Sequence, residues 1–430
     1  MRVAVTTLGC KVNQYDTAVM ERMFGERGWE RVAFTDPADA YVVNSCTVTD
    51  RADSETRRLA RRARRTNPGA RVILTGCYAQ TSPDEIAALS YVDYVIGLNR
   101  LPDLLRAVAG ELPARTAVSD LRKASTVESL GIETFPGRTR AFVKVQEGCN
   151  LFCAFCIVPV ARGRSRSVPP RTVVDEIVRL EARGHREVVL TGVHLGGYGD
   201  DLDPPCDLAF LLEAIAERAP RLRVRISSID PPELTPRFVE IVTGNSIFCH
   251  HFHVPLQAGD DAVLARMRRA YTSGEAADAI ARLQEHMPDA CIGTDLITGF
   301  PEESEDEFER GLAYIERLGL SYLHVFPYSK RSSTSAAKRW QELPHAVVHE
   351  RARRAQALDK RLRRAFEERF IGTRTSVLFE SVRDSQTGRL KGTSSNYLRI
   401  TCDADDRYVN RIVDVRITGR AGKHLEGVLA

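Results

Sequence analysis

Eight consecutive residues, Cys149-Asn150-Leu151-Phe152-Cys153-Ala154-Phe155-Cys156, place three thiols in one tight loop directly after a strand-like run, Ala141–Gln146. A loop of this composition does not bury three cysteines cheaply as small hydrophobes. Structural zinc wants four closed ligands, usually as two separated pairs, and neither a second pair nor spaced histidines follow. An iron–sulfur cubane held by three thiolates keeps one iron open for a small-molecule ligand. The segment therefore predicts a strand that ends in a metal-cluster loop.

Three further cysteines, Cys10, Cys46 and Cys77, lie far apart in sequence, yet each follows a predicted strand: Val3–Gly9, Tyr41–Ser45 and Val72–Gly76. In a parallel sheet the strands point the same way, so residues just past their carboxyl ends gather at one edge, where open α/β sheets bind ligands. These three positions are expected to converge on a second cluster. Cys206, Cys249, Cys291 and Cys402 share no such pattern and are expected to be structural.

The class of the chain follows from alternation rather than composition. From Arg2 to about Ala109, short β-branched runs alternate with amphipathic stretches, the pattern of a parallel sheet with helices on both faces. Gly110 to Arg140 lacks periodicity and carries Pro113, Gly131, Pro136 and Gly137, so it reads as a linker. About six strand candidates between Ala141 and Ser329 suggest a full or partial βα barrel. A long basic helix, His345 to Phe370, precedes about sixty residues that read as a small antiparallel barrel. The expected fold is α/β, with an N-terminal parallel-sheet domain over 1–112, a linker over 113–137, a partial βα barrel over 138–370 and the small barrel over 371–430. Ten cysteines and an opening, Met1-Arg2-Val3-Ala4-Val5-Thr6, that reads as a strand predict free thiols and a cytoplasmic protein. No apolar run approaches the roughly 18 residues of a membrane span.

The cysteine spacing at 149–156 resembles the radical S-adenosylmethionine superfamily. Thr7-Leu8-Gly9-Cys10-Lys11-Val12-Asn13-Gln14-Tyr15, Val43-Asn44-Ser45-Cys46-Thr47-Val48-Thr49 and Leu74-Thr75-Gly76-Cys77 resemble the methylthiotransferases, and the resemblance covers essentially the whole chain. Within that family, Gly9–Gln14 and Asn44–Asp53 resemble the bacterial branch that acts on N6-threonylcarbamoyladenosine at position 37 of transfer RNA. The resemblance implies S-adenosylmethionine as cofactor and two 4Fe-4S clusters, one on Cys10, Cys46 and Cys77 and one on Cys149, Cys153 and Cys156. It also implies a transfer RNA anticodon loop as substrate, a reductant protein such as flavodoxin or ferredoxin, and a C-terminal TRAM-like RNA-binding barrel, in which Asn410 stands where a glycine is common. An acceptor that is an isopentenyladenosine or a ribosomal protein is the alternative. A non-enzymatic RNA-binding protein braced by its clusters is a second.

One departure concerns Leu190-Thr191-Gly192-Val193-His194, where many radical enzymes place two glycines and a glutamate. Gln257, at a predicted strand end, is a candidate cofactor contact, and Asp295, inside an apolar strand, requires a partner that the sequence does not name. The net charge of +4 names no partner, but arginine is clustered. Arg57, Arg58, Arg61, Arg62 and Arg65 form one helical stripe. Arg162, Arg164, Arg166 and Arg171 follow the thiol loop, and a third group from Arg351 to Arg364 lines the long helix. Together they are expected to attract RNA phosphates.

Overall fold

The computed structural model describes residues 1–127, 131, 132, 135 and 139–430. Pro136 and Gly137 of the expected linker lie outside the described residues. Two compact units form. The first comprises Met1–Ile132, Lys144–Val168 and Ser329–Lys338, and the second is built mainly from Pro169–Tyr328 and Arg339–Ala430.

In the first unit, strands β1 (Arg2–Thr7), β2 (Glu30–Val32), β3 (Ala40–Ser45), β4 (Arg71–Gly76), β5 (Tyr94–Ile96) and β6 (Thr116–Ala117) make one parallel sheet in the order β2-β1-β3-β4-β5-β6. Side chains alternate across its central strand. Tyr41 and Val43 pack with Leu59, Ala60 and Ala63 of α2 (Asp50–Thr66). Ala40 and Val42 face the opposite core, with Met20 and Phe24 of α1 (Lys11–Glu26) and Leu104 of the helix Leu101–Ala109. Both faces are thus covered, which is why β3 is buried along its whole length. The short strands β2, β5 and β6 carry too few residues to show a period in sequence.

The expected strand through Gly9 ends earlier than predicted, with β1 stopping at Thr7, whereas β4 runs to Gly76. Gly9 (φ 99°) and Gly76 (φ 91°) adopt left-handed backbone that turns the chain past its strand. Cys10 consequently caps α1, and Cys77 opens the short helix α3 (Cys77–Thr81).

In the second unit, β7 (Arg140–Lys144), β10 (Glu187–Thr191) and β11 (Arg223–Ile226) form one three-stranded sheet. The strands β12 (His251–His253), β13 (Cys291–Thr298) and β14 (Tyr322–Pro327) form another. Parallel bridges Val224↔Phe248 and Ser228↔His253 join them, so six strands follow one another in the order of a partial barrel. The residues between β7 and β10 include a separate antiparallel ribbon, β8 (Gln146–Glu147) with β9 (Arg166–Ser167), which belongs to the first unit. The tail closes into a five-stranded barrel, in which β15 (Arg374–Phe379), β16 (Leu390–Ser394), β17 (Arg399–Cys402), β18 (Ile412–Ala421) and β19 (His424–Leu429) surround Val377, Phe379, Ile400, Val415 and Ile417. Its β17–β19 junction is parallel, the one place where the expected antiparallel pattern changes. Asn410 adopts φ 58°, a conformation suited to glycine or asparagine.

Candidate functional site

All six predicted cluster cysteines fall in the first unit. The register pairs Asn44 with Thr75 and Ser45 with Gly76, so Cys46 and Cys77 leave adjacent strands side by side. Cys10 follows the neighbouring strand on the other side. A Cβ added at Gly9 would stand 2.7 Å from Cys46 Cβ and 3.0 Å from its Sγ, so the Cys10 turn is folded directly against Cys46. Asn13 fixes this edge: its Nδ2 donates to Leu8 O at 2.8 Å and Ser45 O at 2.9 Å, bridging the ends of β1 and β3. Ser45 Oγ ties β3 to β4 through Thr75 O at 2.5 Å and accepts from Tyr78 N at 3.1 Å.

Burial pushes the Cys77 thiol up to about 12, and it raises Cys46 as well, against the lowering influence of Arg162. Metal ligation needs thiolates, and a bound metal supplies the positive charge that such buried sulfur requires. Two buried thiols of this kind, with the exposed Cys10 folded against them, fit a metal cluster.

The second set lies in the loop after β8. Gln146, fully buried, donates from Nε2 to Gly148 O at 2.7 Å and Ser165 Oγ at 2.8 Å. Asn150 Oδ1 accepts from Ser165 N at 3.2 Å, and Cys149 N reaches Gly163 O at 3.1 Å. Gly148 has no room for a side chain: a Cβ would lie 1.9 Å from Arg164 O. Leu151 N donates to Cys149 Sγ at 3.4 Å, the kind of hydrogen bond that tunes cluster sulfurs. The loop is therefore held from outside by Gln146, Asn150 and the Gly163–Ser165 segment. Residues Ser329–Lys338 return to the same unit, where Ala336 N donates to Ala154 O at 2.8 Å and Arg331 Nη1 pairs with Asp53 Oδ2 at 2.5 Å. Sequence reasoning misses Asn13 and Gln146, although each stands three residues beyond or before a candidate cysteine.

In the second unit Gln257 sits at φ 72° beside β13, with its N donating to Asp295 O at 2.9 Å and its O accepting from Ile297 N at 2.9 Å. Its backbone is satisfied, while its carboxamide has no hydrogen bond among the described residues. Asp295 finds the partner it requires in His253, whose Nε2 lies 2.9 Å away, and in His324, whose Nδ1 lies 3.4 Å away. Burial raises this carboxyl, but the two histidines outweigh it and hold it at about 2. Where the loop after β10 lacks a glutamate, His194 pairs at 2.5 Å with Glu233, delivered from the loop after β11.

The arginine groups need correction. Arg162 and Arg166 are buried at 2% and 5% exposure and cannot face RNA. Arg351 is buried against Glu303 and Glu305, while Arg354 pairs with Glu305 and Glu309 and Arg361 with Glu316, so these three tie the long helix to the helix Glu305–Arg317 and the turn before it, whereas Arg353, Arg363 and Arg364 pair within the long helix. Arg57 and Arg58 are paired with Glu85 and Glu55. Helical spacing of cations looks the same whether phosphates or a neighbouring acidic helix neutralise them.

Residues 2–97 match the Uncharacterized protein family UPF0004, and residues 143–315 match the Radical SAM superfamily. The threonylcarbamoyladenosine tRNA methylthiotransferase MtaB of Bacillus subtilis (strain 168) is 38% identical over 99% of this chain and 95% of its own length. This chain belongs to the tRNA methylthiotransferase family. As a family member it is a transferase of the radical S-adenosylmethionine class. A tRNA-2-methylthio-N(6)-dimethylallyladenosine synthase of Anaeromyxobacter dehalogenans (strain 2CP-C) is 35% identical over 100% of this chain and 94% of the relative. Among solved structures, the radical S-adenosylmethionine methyltransferase TsrM from Kitasatospora setae superposes with a TM-score of 0.60 at 15% identity, covering 78% of this chain and 77% of that one, a likeness of fold alone. No helix among the described residues is long and apolar enough to cross a membrane.

Proposed function

We propose that this protein adds a methylthio group to C2 of N6-threonylcarbamoyladenosine at position 37 of transfer RNA. The observation that carries the reading is the gathering of Cys10, Cys46 and Cys77 at one sheet edge, in the same compact unit as the Cys149–Cys156 loop. Cys149, Cys153 and Cys156 would hold one 4Fe-4S cluster, Cys10, Cys46 and Cys77 the other, and Gln257 would contact S-adenosylmethionine. With these groups bound, the cofactor would supply radical chemistry able to activate an inert carbon–hydrogen bond of the base, and the centre on Cys10, Cys46 and Cys77 would supply the sulfur to be delivered. The chain's own residues hold the two thiol sets in shape. Asn13 and Ser45 fix the strand ends, and Gln146 clamps the Cys149 turn. No protein acid or base is needed, which accounts for a site whose singled-out residues are thiols.

The substrate would be the anticodon loop, where the base is unstacked without melting a duplex. A small reductant protein of the flavodoxin or ferredoxin class would deliver the electron, in the cytoplasm. Support for the acceptor comes from the MtaB relatives, 38% identical in Bacillus subtilis (strain 168) and 38% in Aquifex aeolicus (strain VF5). The test is anaerobic turnover of the reconstituted protein on transfer RNAs carrying either threonylcarbamoyl or isopentenyl adenosine, read by nucleoside mass spectrometry. Methylthio product on the threonylcarbamoyl base, with Cys10→Ala releasing 5′-deoxyadenosine but making no methylthio product, is expected. Product confined to the isopentenyl base overturns the acceptor, and release of no 5′-deoxyadenosine overturns the reaction class.

A further inference from the structure

Arg162 is the last residue of the short helix Val158–Arg162, which follows the Cys149–Cys156 loop, and its side chain is 2% exposed. Its guanidinium donates to Asn13 Oδ1 at 2.6 Å, to Asp16 Oδ2 at 3.0 Å and to Glu147, and it lies within electrostatic range of the Cys77, Cys10 and Cys46 thiols. Asn13 also accepts from Cys10 Sγ at 3.8 Å. One side chain thus leaves the loop of the second thiol set and ends against the first.

The surrounding charges are shared. Lys144 lies 2.8 Å from Asp16 and 3.2 Å from Glu147, so Arg162 divides both of its carboxylate partners with a second buried cation. The thiolates of a bound cluster are further anions within electrostatic range of Arg162. Net charge, burial and hydrogen bonds to sulfur are what set the potential of such a centre.

We infer that Arg162 is a positioning residue that sets the reduction potential of the centre held by Cys10, Cys46 and Cys77, acting from the element that carries the other thiol loop. This rests on the ligand assignment proposed above. A fixed positive charge stabilises the reduced, more negative state of a neighbouring cluster. Its removal lowers the potential, and removal of a carboxylate that neutralises it raises the potential.

The experiment uses the full-length protein with Cys149, Cys153 and Cys156 all replaced by alanine, reconstituted anaerobically so that only the first centre remains, and titrated electrochemically with paramagnetic resonance as readout. Arg162→Gln is expected to lower the ratio of reduced to oxidised form at the parent's midpoint about tenfold, equivalent to about 59 mV for a one-electron couple. Arg162→Lys should stay near the parent, and Glu147→Gln should shift the midpoint in the positive direction. If Arg162→Gln fails to hold the cluster, Glu147→Gln decides, since the charge argument requires its shift. A cluster in the parent with unchanged midpoints in these variants overturns the inference alone. No cluster in the parent overturns the ligand assignment and the inference with it.

Discussion

At the scale of single residues, the first thiol edge depends on what is missing as much as on what is present. Gly9 combines φ 99° with 2.7 Å of clearance to Cys46 Cβ, so any side chain there is strained by the backbone and driven into a ligand candidate. Gly9→Ala should cost about 1–3 kcal/mol, from the left-handed conformation alone, and should also lower the iron content of the reconstituted protein. Gly25, inside α1 with nothing within 4 Å of its would-be Cβ, is the internal control. Gly25→Ala should gain about 0.5–1 kcal/mol and leave iron untouched. Denaturant titration and iron analysis of both variants check the pair, and equal iron loss in the two would show that crowding of Cys46 is not the cause.

At the scale of elements, β13 shows how a polar residue survives inside an apolar strand. Asp295 is supported by one histidine from β12 and one from β14, each on a strand paired with β13. Its carboxyl is held at about 2, below its unfolded value near 3.8, so its stabilisation is complete above about pH 4 and fades as pH falls toward 2. The size is on the order of 2 kcal/mol. In metal-free, reduced protein, Asp295→Asn should unfold more easily by about that amount at pH 6, and the two stability curves should converge near pH 2. Parallel curves across that range would remove the histidine account. The sequence reveals that Asp295 needs a partner because one strand suffices to show the apolar context. It cannot name His253 and His324, which become neighbours only through the pairing of three strands. The thiol edge is legible for the opposite reason. Each cysteine follows its own strand, a local signal, and parallel topology does the gathering. Arg162 looks like a phosphate ligand in sequence because its burial depends on Asp16, which precedes it by 146 residues.

At the scale of the molecule, the question is which cations remain for RNA once the buried and zipped arginines are set aside. The C-terminal barrel offers a pair. Arg374 of β15 and Arg416 of β18 are direct cross-strand partners, both exposed, and neither has an acidic partner among the described residues. Like charges placed opposite each other on a sheet cost a fraction of a kcal/mol, a cost that a bound phosphate would reverse. Replacing both with alanine should therefore weaken transfer RNA binding while leaving the melting temperature unchanged or slightly higher. Each phosphate left without its cation should reduce the slope of log affinity against log salt by about 0.7–0.9, so the double variant should flatten it by roughly 1.5. Arg354→Ala with Arg361→Ala is the matched control, since those cations are already neutralised by Glu305, Glu309 and Glu316. Binding measured between about 50 and 200 mM salt, the range over which phosphate neutralisation governs affinity, separates the two cases. An unchanged slope in the barrel variant, or an equal weakening in the control, would move the phosphate-binding face away from β15 and β18.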